Sequence, residues 1–200
     1  NFISIINELI SSESKKFNID YYSCLALLFA PFLFIPLVFY SMIFRYTRRY
    51  AILFCQENYP VEIITFGFLL FAVVYGIFLL LKMKKLKFKL YELLFTAFFS
   101  LMMFLIAMEE IAWGQQFLKF DTPEYIQAVN IQGEVTLHNV KGLQGHSDFF
   151  RFAFGLAGLI GIYFNKINWM KKIAVPYILI GLFTVIALMG GVDVYNDYFS

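Results

Sequence analysis

The chain has 200 residues, 60% of them in the Ala, Val, Ile, Leu, Met, Phe, Trp, Tyr and Cys class and only 15% charged, with mean hydropathy +0.71 and net charge +2. A soluble enzyme carries roughly 25% charged residues, and disorder needs low hydrophobicity with high net charge, so both are excluded. The near-neutral balance argues against a nucleic-acid partner, and Cys24 and Cys55 have neither zinc-ligand nor disulfide-framework spacing.

The chain opens without the basic start and apolar core of a cleavable signal peptide. In the first ten residues Phe2, Ile6, Leu9 and Ile10 share a helical face. That pattern fits a helix lying on the membrane surface, or equally a frayed terminus. Beyond it, uncharged runs approach the ~20 residues a bilayer-crossing helix needs. They predict an all-α integral membrane bundle of about five transmembrane helices, near 21–44, 61–81, 90–112, 149–165 and 173–192, forming a single polytopic domain. A polar segment, 113–148, joins the third and fourth. Pro31, Pro36 and Pro176 read as kinks inside spans. Gly155, Gly158 and Gly161 would let the fourth helix approach a neighbour closely.

With five spans, ten of the Lys and Arg residues fall on one side, including Lys15, Lys16, Lys82–Lys89 and Lys166–Lys172, against six on the other. The positive-inside rule then puts the N-terminus in the cytoplasm and the polar segment outside.

The polar segment and the helix end before it hold both histidines and six of the fourteen carboxylates. If the third helix continues, Glu109, Trp113 and Gln116 share a face and Glu110 points about 100° away. Two adjacent carboxylates at a partly dry interface repel, so one is expected to be protonated, paired or metal-bound; the plainer reading is an interfacial anchor. Asp121-Thr-Pro-Glu124 reads as a helix start capped by Asp121 or Thr122, with a short helix through Ala128. Gly133 is placed for a turn that sends Gln132 and Glu134 back toward the membrane. Glu134 and His138, four apart, would share a helical face, a carboxylate able to orient an imidazole, with Asn139 beside them. His146 and Asp148 form a weaker pair. Asp193 and Asp197 close the last span on the same expected side.

The block Glu109-Glu-Ile-Ala-Trp-Gly-Gln115, then Thr122-Pro-Glu124, Asn130-Ile-Gln-Gly-Glu134 and Leu137-His-Asn139, resembles a pattern found in a group of bacterial polytopic membrane proteins of uncharacterised function. Ala112 stands where that group more often has Ser, and the last span ends in Asp rather than Glu. The resemblance implies that Glu109, Glu110, Trp113, Gln132, Glu134, His138 and Asn139 form one unit, and implies no substrate. An intramembrane CAAX-type protease would need Arg at the position of Trp113 and a helix with Phe-x-x-x-His; neither is present.

Three functions follow. The first is a hydrolase or transferase acting on a lipid or lipid-linked headgroup at the outer interface. Glu109, Glu110, Glu134, His138 and Asp193 would carry its chemistry, and Glu109, Glu110 and His138 would be the ligands of any divalent metal. Trp113, Gln116, Gln132, Asn139 and Asp197 would support the site. The second is a non-catalytic membrane subunit or homo-oligomeric effector whose polar segment docks or locks helices. The third, a small transporter or channel, is least favoured because no charge falls in mid-span.

Overall fold

The computed structural model describes residues 2–54, 60–130, 133–137, 139–141 and 147–199, without the side chains of 2, 39, 42, 54, 60, 116, 147, 148 and 196–199. The described residues are helical, with no strand among them and one isolated antiparallel bridge, Asn130 to Val140. Among the described residues four helices are long and apolar enough to cross a membrane, at Tyr21–Val38, Val61–Lys85, Leu90–Glu110 and Tyr177–Tyr195. The chain divides into two compact units, one of Asn1–Ile43 with His146–Ser200 and one of Phe44–Gly145.

In the first unit, α1 (Phe2–Phe17) precedes α2 (Tyr21–Ile43). Ile10 of α1 is fully buried with Cys24, Leu28 and Ile178, and Ile6 and Leu9 pack around them. The apolar face of α1 is therefore occupied by protein, and the helix is neither frayed nor held by lipid alone. Asn18, at φ 52°, ends α1 in the left-handed conformation, and Ile19 N–H closes back on the Ser14 carbonyl at 3.1 Å. Asp20 then caps α2, accepting the Ser23 backbone N–H at 2.9 Å. The Ser23 side chain and then that N–H hold the Asp20 carboxyl below its ordinary range. Pro31 and Pro36 lie inside a continuous α2.

In chain order, α3 to α7 belong to the second unit, and the first resumes with α8 (Ser147–Tyr163) and α9 (Ile180–Phe199). With 17 residues, α8 is shorter than the four spanning candidates. It packs antiparallel on α9 through glycines. A Cβ on Gly155 would overlap the Ala187 backbone, one on Gly158 the Phe183 ring, and one on Gly190 the Phe152 backbone. The expected fifth span was to start at 173 with Pro176 as a kink. Instead Pro176, at ψ 142°, precedes a 3₁₀ turn at Tyr177–Leu179 and α9 begins only at Ile180. Proline has no N–H to donate and suits a helix start, so it sets the boundary. The same helix runs past 192 to Phe199, because nothing in Val192–Tyr195 breaks it.

The second unit opens with α3 (Arg45–Phe54), a helix not anticipated between the first two spans, on which Arg45, Arg48 and Arg49 share a face. An antiparallel hairpin of α4 (Pro60–Lys85) and α5 (Leu90–Glu110) follows. Lys87 turns the chain at φ 55°. Glu92, 1% exposed, accepts the Lys89 N–H at 2.8 Å and so satisfies a donor at the start of α5. Gly76 lies against Ser100, so the two helices touch where a side chain is missing.

Candidate functional site

The third span does not continue as a helix through Trp113. It ends at Glu110, and Ala112 (φ 46°), Trp113 (φ 53°) and Gly114 (φ 89°) are consecutive left-handed residues. Each such non-glycine residue costs about 1–2 kcal/mol, so compensating contacts are required. The reversal supplies one, because it swings the indole back onto the helix end, where Trp113 Nε1 donates to Glu109 Oε1 at 2.6 Å. The other carboxylate oxygen, Oε2, accepts the backbone N–H of Leu137 at 2.7 Å. Glu109 thus ties the end of α5 to a segment 28 residues further along.

Breaking the helix also brings in a second glutamine. The helical phase pointed to Gln116, whose side chain lies outside the described residues. The working residue is Gln115, at the start of the short α6 (Gln115–Leu118). Its Nε2 donates to Thr122 Oγ1 at 2.7 Å and to the Phe120 carbonyl at 3.2 Å, and its Oε1 accepts the Val135 N–H at 3.0 Å. Thr122, 6% exposed, donates in turn to the Gly133 carbonyl. Neither Asp121 nor Thr122 caps α7 (Glu124–Gln127) as expected. Pro123 precedes that helix, and the Thr122 hydroxyl is committed to Gly133. Gly114, suited to the left-handed conformation, is the local sign of this turn in the sequence.

The returning chain is held by Asn130, 3% exposed, whose Nδ2 donates to the Thr136 carbonyl at 2.8 Å while its Oδ1 accepts the Glu134 N–H at 3.3 Å. Lys141 N–H reaches the Val129 carbonyl at 2.8 Å beside the Asn130–Val140 bridge, and Lys141 Nζ reaches that of Ala128 at 2.8 Å. Gly133 makes the anticipated turn at φ 70°. Residues 133–137 are not helical, so a shared helical face for Glu134 and His138 is not available. The turn at Gly133 and the pull of Asn130 on the Glu134 N–H spend the backbone donors a helix would need.

Of the expected site residues, Glu109, Glu110, Trp113, Glu134 and Asn139 belong to this unit. His138, Gln132 and His146 lie outside the described residues, as does the Asp197 side chain. Asp193 belongs to the other unit and pairs with Arg151 Nη1 at 2.9 Å. Among the described residues no three His, Cys, Asp or Glu side chains converge as metal ligands. A cation at Glu109 would compete with N–H donors already aimed at both of its oxygens. One buried polar atom of the cap has no hydrogen-bond partner among the described residues, Nδ2 of Asn139, which is 4% exposed.

Compared with family models, curated proteins and solved structures, the chain matches none.

Proposed function

We propose that this chain is a non-catalytic integral membrane protein whose polar segment is a cap, locking the end of α5 and presenting a rigid platform at one membrane face. The observation that carries the reading is Glu109, whose two oxygens are engaged by Trp113 and by the Leu137 backbone. A carboxylate so occupied is a tether rather than a free acid or base. Phe117, Leu118, Tyr125 and Leu137 are exposed around the cap, a set suited to the headgroup layer or to a partner subunit or second copy. In this reading α8 is the fourth of five spans, extended by flanking Phe and a snorkelling Arg151. The N-terminus is then cytoplasmic, the cap lies outside a bacterial inner membrane, and the motif from Glu109 to Asn139 is a folding unit shared with the polytopic group it resembles.

A second reading, a lipid-active enzyme, is favoured by one observation. The buried, unpartnered Asn139 Nδ2 sits next in sequence to His138, as a group awaiting a ligand would. Purified protein in lipid nanodiscs, followed by lipid mass spectrometry and metal analysis of wild type and Glu109→Gln, separates the two. The cap reading expects no lipid product, no stoichiometric metal and a less thermostable Glu109→Gln variant. Product formed by wild type and lost in that variant would overturn it.

A further inference from the structure

We propose that the cleft between α1 and the α8–α9 connection binds a phosphoethanolamine group, the headgroup of an amine-bearing phospholipid. This cleft, about 530 Å³ within the first unit, is lined by Ser12, Glu13, Lys16, Asn165, Lys171 and Tyr177 among others. Its unusual member is Glu13, only 3% exposed. Glu13 Oε1 lies 3.7 Å from Lys16 Nζ, while Oε2 is buried without a hydrogen-bond partner among the described residues. Lys16 is further held by Asn165 Oδ1 at 3.3 Å, and Asn165 is itself anchored through Nδ2 to the Ile162 and Val175 carbonyls at 3.0 and 2.6 Å. The wall is therefore built and fixed, yet one carboxylate oxygen lacks a donor, and a buried acceptor left in that state is destabilising.

A primary ammonium entering the cleft supplies the missing donor once the Glu13 carboxylate turns its buried Oε2 toward it. The phosphate two carbons away then needs a cation, and Lys171 is exposed and enters no ion pair among the described residues. A choline headgroup has no N–H to give, and a glycerol headgroup can offer a hydroxyl but no positive charge to set against the carboxylate, so an ethanolamine ammonium suits this oxygen better than either. The cleft sits where α2 and the 3₁₀ turn before α9 begin their apolar runs, at Tyr21 and Tyr177, which is headgroup height for helices that cross a bilayer. An apolar groove of about 740 Å³ between α2 and α9 starts at that level, at Ser23 and Leu179, and runs to Val38 and Met189, a length suited to an acyl chain. The inference rests on membrane insertion of these helices and is independent of what the cap does.

The test uses the full chain in detergent, exchanged against phosphatidylethanolamine, phosphatidylcholine or phosphatidylglycerol of matched chains, with retained lipid read by native mass spectrometry. Wild type is expected to retain the ethanolamine lipid about tenfold better than the choline lipid, a difference of about 1.4 kcal/mol. Glu13→Gln should abolish that preference, and Lys171→Ala, an exposed change that leaves Glu13 in place, should lower retention of the ethanolamine lipid severalfold. Competition by soluble phosphoethanolamine assigns the site to the free compound as well; selectivity without competition assigns it to the lipid. Equal retention of the ethanolamine and choline lipids by wild type overturns the proposal, as does an unchanged preference in Glu13→Gln. Should Glu13→Gln not fold, unchanged retention in Lys171→Ala overturns it equally.

Discussion

The α8–α9 pair and the cap after α5 are held by opposite means. Between α8 and α9 the contact is made by what is missing, with Gly155, Gly158 and Gly190 each placed where a Cβ would collide with the facing helix. In the cap the contact is made by polar side chains, with Glu109, Gln115, Thr122 and Asn130 each bonded to backbone or to one another. The difference follows from solvent. Lipid tails are as apolar as leucine, so helices gain by approaching closely enough for dispersion and not by hiding apolar surface. A chain leaving its helix at an interface loses intrahelical hydrogen bonds and must replace them one by one.

Substitutions should separate the two modes. The largest expected effect is Gly155→Leu, because the atoms it meets are the backbone N and Cα of Ala187, which cannot rotate away. It should destabilise the first unit by about 3 kcal/mol, the upper end of overpacking costs. This is read as a lowered Tm in detergent, with cleavage of the cap by protease unchanged. Gln115→Ala should do the reverse, costing about 1–2 kcal/mol and speeding proteolysis within 113–141 while the α8–α9 pair keeps its protection. Cap proteolysis at the wild-type rate in that variant would mean that the glutamine bonds do not hold the segment.

The smallest effect concerns Asp20, a third mode in which an exposed charge caps a helix. Its carboxyl titrates below the ordinary value in the folded chain. Its stabilisation is therefore complete above the unfolded value of about 3.9 and is lost as pH falls through the lower folded value. Wild type should show a small decline in Tm below about pH 4 that Asp20→Asn lacks, since Asn caps as well as Asp. Identical acid profiles for the two would remove Asp20 from the account.

Much of the membrane frame was legible because it depends on composition summed over many residues. Uncharged runs located α2, α4, α5 and α9, and the glycines at 155 and 158 marked the close contact. Errors arose where a single residue decides. Pro176, expected as a kink inside a span, is instead a helix start, and α9 begins at Ile180. At Trp113 the expected helix does not continue, because three left-handed residues reset the phase, and they bring in Gln115. Arg45, Arg48 and Arg49 share a face of α3, a short helix that no apolar run marks.

From the sequence alone came an all-helical chain with several membrane-crossing helices, and a polar segment set apart from them. Both are properties of hydropathy and length, additive along the chain. Tertiary structure alone decided that Ile10 is a core residue, that Glu109 binds Leu137, and that Glu13 is buried with one oxygen unpartnered. Hydrogen bonds and burial depend on which distant residue arrives and at what angle, and no local periodicity carries that information.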